Sequence, residues 1–253
     1  SPNTAELLTA CFSPALRPNG SEIVFTRGSD LWAVDPVTLD ERQVTSFFDA
    51  SLGEPSLSPD GEWAVVALKQ RGENGIAVGR LNGNNWHFIP FPRTVIHPQF
   101  HPLEPEWIEF AGDPAPRMHR VRRDGTALEC LYTHGNTEFI VHETFLGTTG
   151  DIVFTVWPRA LCRLDWNTRQ VTTIAEYNAW HIAPDRGGGR VLCDTNHPDE
   201  GLQIIDVRTG RRRQVCISGA SNGGSQWRTS RYALAEDFAA ARSQAKAADK
   251  LSW

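Results

Sequence analysis

One phrase recurs along this chain: an apolar anchor, a turn rich in Pro, Asp and Gly, then an apolar run with strand character. It reads at 12–25, 57–66, 100–110, 145–154 and 182–192, and its anchors Phe12, Leu57, Phe100, Phe145 and Ile182 are 45, 43, 45 and 37 residues apart. A period near this length is that of a propeller blade, a unit of about four short strands that buries its faces against its neighbours. The expected fold is therefore an all-β β-propeller, with five blades present and residues 1–253 forming one repeat array.

The second copy shows the strands most clearly. Trp63 to Leu68 is apolar, 69–74 is polar, and Ile76 to Leu81 is apolar again before the turn residues Asn82, Gly83 and Asn84. The first copy has Leu31 to Val34 ahead of Asp35-Pro36, and the last has Leu202 to Val207 ahead of Arg208-Thr209-Gly210. Each reads as a hairpin closed by turn chemistry. Trp32, Trp63, Trp107 and Trp157 are expected to pack the blades. After Gly219 the period breaks. Residues 221–230 are rich in Ser, Gly, Asn and Gln, while 233–248 are rich in helix formers, with Leu234 and Phe238 on an otherwise alanine-lined apolar side. The expectation there is a loop and one short helix lying on the array, inserted ahead of further blades, because five blades alone leave a sheet edge open. The start at Ser1 reads as a native beginning that has been lost.

With 40% hydrophobic residues the chain can bury a sizeable core, and its formal net charge of −5 argues against a polyanion held by bulk electrostatics. An acidic sugar would need a local positive pocket. Neither nucleic acid nor a membrane is an expected partner: no run of about 18 apolar residues spans a bilayer, and the start has no charged segment followed by an apolar one. Cys11, Cys130, Cys162, Cys193 and Cys216 are odd in number and scattered, nearly all within apolar runs, so they read as reduced and mostly buried. Arg211-Arg212-Arg213 reads as a solvated hairpin tip, and Gly187-Gly188-Gly189, with no following helix or lysine, as a connecting loop.

Histidines stand just ahead of three anchors: His97 and His142 three residues before theirs, His181 one residue before. Side chains alternate along a strand, so odd offsets place all three on one face, opposite the anchors. In a propeller the first strand of each blade lines the central channel, and three imidazoles from neighbouring blades would meet near one mouth. The plainer reading of each is a hydrogen-bonded histidine at a strand entrance. His101 reads as turn chemistry, His197 as part of a loop within a blade, and Glu143 as structural.

Three phrases together resemble the oligogalacturonate lyase family: His142-Glu143-Thr144-Phe145 before a Gly-Asp-Ile-Val-Phe strand, Trp180-His181-Ile182 before a strand ending Cys193-Asp194, and Pro116-Arg117-Met118-His119 before Asp124-Gly125. The resemblance runs from His97 to Gly210. It implies a seven-bladed propeller that cuts short pectin fragments, with His142 as the base, Arg117 as the residue meeting the substrate acid, and His181 as the first of four manganese ligands. His97 is taken as a further substrate contact. His119 stands where the family has an aromatic residue. The other three ligands, in a Gln-x-x-His-x-His phrase, lie in the family beyond the position of Trp253, and that phrase is absent here. The chemistry suits these residue types. A β-elimination removes the proton beside a uronate carboxylate, which calls for a neutral imidazole, a cation on the carboxylate, and a fork-shaped arginine for a second acidic group. The expectation is thus a cytoplasmic, manganese-dependent lyase acting on an acidic oligosaccharide. A lyase for another uronate, or a non-catalytic TolB-like interaction propeller, stand as alternatives.

Overall fold

The computed structural model describes residues 12–135, 137–195 and 200–217. The region expected to hold the loop and helix, together with Cys11 and His197, lies outside them. The described residues form five antiparallel four-stranded sheets, each assembled in chain order. Blade 1 comprises β1 (Phe12–Leu16), β2 (Ile23–Arg27), β3 (Asp30–Val34) and β4 (Glu41–Gln43). Blade 2 holds β5 (Ala50–Leu57), β6 (Trp63–Gln70), β7 (Glu73–Arg80) and β8 (His87–Phe91). Blade 3 holds β9 (Thr94–Phe100), β10 (Trp107–Asp113), β11 (Met118–Arg122) and β12 (Glu129–Cys130). Blade 4 is β13 (Phe139–Phe145), β14 (Ile152–Trp157), β15 (Ala160–Leu164) and β16 (Val171–Ala175). Blade 5 is β17 (Ile182–Pro184), β18 (Arg190–Cys193), β19 (Leu202–Asp206) and β20 (Arg212–Cys216). Among the described residues no helix is long and apolar enough to cross a membrane.

The chain divides between Thr133 and His134 into two compact units, blades 1–3 and blades 4–5. Within the first, blade 2 is buried on both faces. Ala64, Val66 and Leu68 of β6 pack with Val24, Leu31 and Ala33 of blade 1, whereas Val65 and Ala67 pack with Ile108, Phe110 and Val121 of blade 3. Alternate residues of one strand thus enter two different cores, which is why Trp63 to Leu68 is a continuous apolar run and not a polar/apolar alternation. Burying one such aliphatic side chain contributes on the order of 1.5–3 kcal/mol. In the second unit Val153 and Leu161 of blade 4 share a core with Val191, Cys193 and Ile205 of blade 5.

The strand register corrects the alignment read from sequence. The residue pairing at the start of each second strand is Leu16 with Ile23, Leu57 with Ala64, Phe100 with Ile108, Phe145 with Ile152, and Pro184 with Val191. The equivalent positions in blades 1 and 5 are therefore Leu16 and Pro184, not Phe12 and Ile182. The cause is local: Phe12 and Ile182 open their strands, while Leu57, Phe100 and Phe145 close theirs. Counted from the corrected positions, His97, His142 and His181 each stand three residues ahead.

Simple alternation also fails in these first strands. The register of β9 and of β13 slips so that His97 and Pro98 together oppose Phe110, and His142 and Glu143 together oppose Phe154. This is a β-bulge, in which two residues face one and the strand turns locally. His97 (φ 52°) and His142 (φ 58°) are both in the left-handed region, uncommon for residues other than Gly although Asn, Asp and His enter it more readily than the rest. Histidine placement thus follows from the bulge and not from period-two parity.

Two further details differ from the sequence reading. The polar stretch 69–74 is mostly strand, because β6 and β7 meet at a two-residue turn, Arg71-Gly72, with both residues at positive φ as a primed hairpin turn requires. Of the four tryptophans, Trp157 and Trp107 are buried while Trp63 and Trp32 are half-buried and roofed by arginine: Arg80 and Arg123 lie 4.8 and 3.9 Å from the Trp63 ring, and Arg27 lies 4.9 Å from that of Trp32. The third-to-fourth strand turns repeat an Asp-x-x-Thr device: Asp35, Asp165 and Asp206 each accept the backbone N–H of the Thr three residues on. All three carboxyls lie below the usual aspartate range, Asp35 and Asp165 chiefly through these backbone bonds and Asp206 chiefly through a further bond from the Thr209 hydroxyl.

Candidate functional site

In the second unit, the bulge in β13 and the lead-in to β17 converge. His142 and His181 have ring centroids 4.8 Å apart, and the edge of Trp180 meets His142 at 4.7 Å. Trp180 is itself fixed, since its ring packs against Trp157 at 5.5 Å and its backbone N–H donates to the Asp194 carbonyl at 3.0 Å. Asp194, just past the end of β18, grips His181 twice: Oδ1 accepts the His181 backbone N–H and Oδ2 faces His181 Nδ1, both at 2.8 Å. Burial pushes the Asp194 carboxyl up, but the bonds from His181 outweigh it and hold the group below its ordinary range. In the neutral tautomer that donates Nδ1–H to this carboxylate, Nε2 of His181 keeps its lone pair. The His181 side chain is 60% exposed. His142 is half-buried, with Nε2 shielded from solvent.

A carboxylate that orients a histidine through Nδ1 is the common arrangement behind a metal-ligating imidazole. His181 therefore fits as one ligand, with Nε2 as the donor atom. Among the described residues no group of three or more His, Cys, Asp and Glu side chains could hold a metal ion by itself. Trp180 and Asp194 stand in the sequence phrases without a role. Their spacing carries a signal, but only the pairing of β17 with β18 shows that Asp194 returns beside His181.

The first unit carries the other two expected residues, both in blade 3. His97 sits in the β9 bulge, half-buried, and its carbonyl is 3.5 Å from Gln99 Nε2. Arg117 stands in the loop between β10 and β11, its side chain only 9% exposed, with Nη1 3.7 Å from Asp113 Oδ1. Neighbouring it are His119, which the motif marks only as standing where the family has an aromatic residue, and Arg93, which sequence does not single out; the two contact one another at 3.1 Å.

The remaining polar candidates resolve simply. His101 Nδ1 accepts the backbone N–H groups of Leu103 and Glu104 at 3.2 and 2.9 Å, a turn-stabilising role. Glu143, expected to be structural, shares the bulge with His142 and is buried. The four free cysteines among the described residues divide unevenly: Cys162 and Cys193 are buried, Cys130 is half-buried and Cys216 is exposed on the outer strand β20. Cys216 departs from the expectation of burial because every residue of that strand faces solvent. Desolvation pushes the Cys193 thiol up to about 12.

Five consecutive blades of four up-and-down strands, with histidines at the bulged positions of β9 and β13, define a partial β-propeller. Among solved structures, the chain superposes on an oligogalacturonate lyase in complex with manganese at a TM-score of 0.76 and 17% identity, covering 85% of this chain and 67% of that one. It matches an oligogalacturonate lyase from Vibrio parahaemolyticus at 0.74 and 14%, covering 85% and 69%. TolB from Acinetobacter baumannii follows at 0.62 and 19%, covering 80% and 53%. No protein-family model matches the chain, and no curated protein sequence matches it either.

Proposed function

We propose that this chain carries the catalytic blades of a lyase that cleaves short galacturonides by β-elimination in the cytoplasm. The observation that carries the reading is the His142–His181–Asp194 cluster, on a fold shared with the oligogalacturonate lyases. His142 takes the proton at C5 of the uronate, the C5–H electron pair forms the C4–C5 double bond, and the C4–O bond breaks as the leaving sugar departs and is protonated. Arg117 pairs with a substrate carboxylate through its fork of N–H donors, and His97 is a further contact to the sugar. His181, held by Asp194, supplies one nitrogen to a divalent cation such as Mn²⁺, with the remaining ligands outside the described residues. When bound, that ion neutralises the carboxylate next to C5 and makes the proton removable. Trp180 fixes the orientation of the His142 ring and keeps water from one side of it.

The test is to incubate the protein with digalacturonate and Mn²⁺ and follow the ultraviolet absorbance of the 4,5-unsaturated product. Product formation with wild type and its loss in His142→Ala are expected, and full activity in that variant removes the base assignment. The likeness to TolB supports a second reading, a non-catalytic interaction propeller. It predicts no product and no retained divalent ion in metal analysis.

A further inference from the structure

We propose that Arg93 and His119 are positioning residues that lock Arg117 in place, an inference resting on the reading of Arg117 as the group that meets a substrate carboxylate. Arg93 stands in the short link between β8 and β9. Its Nη1 donates to the carbonyl oxygens of Pro114 and, at 3.0 Å, of Pro116. Its Nη2 faces His119 Nε2 at 3.1 Å, and His119 Nδ1 lies 2.9 Å from the Arg117 carbonyl oxygen. A guanidinium only donates and a carbonyl only accepts. One neutral tautomer satisfies both: Nε2 accepts from Arg93 while Nδ1–H donates to Arg117. Three carbonyls of the β10–β11 loop, at 114, 116 and 117, are thereby held by two side chains.

The lock is packed as well as bonded. The His119 ring is buried, stacks on Phe110 with 17° between planes at 5.6 Å, and meets the edge of Phe91 at 4.9 Å. Arg93 lies over that same Phe91 ring at 5.1 Å. Gly112 lets the layers approach, because a Cβ there would sit 2.7 Å from the Phe91 ring and 3.4 Å from Arg93 Nη2. The bulged strand β9 therefore brings in Arg93 at its start, and the loop carrying Arg117 closes onto it. An arginine that recognises a carboxylate is effective to the extent that the loop carrying it is ordered before binding, since ordering it on association costs affinity. His119, where the resembling family has an aromatic, keeps the ring and adds two hydrogen bonds.

The experiment uses the full chain. Phenylglyoxal modification followed by mass spectrometry reads how fast Arg117 reacts, with exposed Arg211 as the internal reference. Arg93→Met and His119→Phe are each expected to raise the Arg117 rate at least tenfold while Arg211 is unchanged, and imidazole ¹⁵N spectra of wild type are expected to show His119 as the Nδ1–H tautomer. An Nε2–H tautomer, or an unaltered Arg117 rate in either folded variant, overturns the lock. Calorimetry with digalacturonate then separates this from the proposed function: wild type binding at least tenfold tighter than Arg93→Met supports positioning, and equal affinities overturn it. A wild type that binds no galacturonide, yet shows the tautomer and the labelling change, refutes the substrate reading and leaves the lock standing.

Discussion

Strands β9 and β13 are built alike and surrounded differently. Both are seven-residue first strands ending in phenylalanine, both carry a bulge three residues before that end, and both place a histidine there at left-handed φ. Among the described residues the His97 imidazole makes no hydrogen bond or ring contact. His142 packs against Trp180 and His181, with Asp194 one bond further on. The bulge thus supplies a position, and the neighbouring lead-in strand decides whether that position becomes a cluster. Blade 3 spends its polar residues elsewhere, on the Arg93–His119 hold over the loop of Arg117.

That contrast can be broken or sharpened by measurement. The largest expected difference is in turnover: His142→Asn should lower the rate by about 10²–10⁴-fold, the usual contribution of a general base, while His97→Asn in the matching position changes it less than about tenfold. Equal losses would show that the shared bulge, and not the cluster, makes the site. Packing should separate buried from open blade faces. Ile108→Ala, in the blade 2–3 core, is expected to cost about 2–5 kcal/mol in denaturant unfolding. Leu192→Ala, on the exposed face of blade 5, should stay within about 0.5 kcal/mol. Asp194→Asn should weaken Mn²⁺ binding by about 10–100-fold through the loss of His181 orientation, whereas Asp113→Asn beside Arg117 should leave it unchanged. Identical metal titrations for the two variants would remove the orienting role.

The smallest effect is electrostatic and belongs to the first unit. Hydrogen bonds from Arg42, partly offset by burial and reinforced by the charges of Arg42 and Arg17, hold the Glu22 carboxyl below its ordinary range. A depressed carboxyl stabilises the fold above its unfolded value of about 4.3 and loses that contribution as pH falls through the lower folded value. Glu22→Gln should therefore flatten the decline of the melting temperature between about pH 5 and 3. An unchanged slope would show that this ion pair is screened to insignificance. In the second unit, thiol titration near neutral pH should find Cys216 reactive and Cys162 and Cys193 silent, since burial raises both of the latter.

Much of the blade architecture is legible in the chain because a repeated apolar phrase at a steady period suits few folds besides a propeller. Boundaries are less so. Phe12 and Ile182 imitate the anchor phrase in composition, yet the true equivalents are Leu16 and Pro184, and a proline does not announce itself as an apolar anchor. His142 and His181 stand out by motif, with an offset that does not match between them, and the register removes the mismatch. Arg93 is invisible in sequence, since nothing in an isolated arginine 24 residues before Arg117 signals that it holds the loop carrying Arg117.

The sequence by itself determined the strand content, the blade period and the residue types from which a carboxylate-directed site can be made. These follow from local patterning, because periodic apolar runs and turn residues act over a few positions of chain. Only the tertiary structure decided which histidine meets a partner, which carboxylate orients it and which side chains hold Arg117. Those depend on single-residue slips between strands and on groups that return from distant turns, and a bulge of one residue redirects a side chain without altering the composition around it.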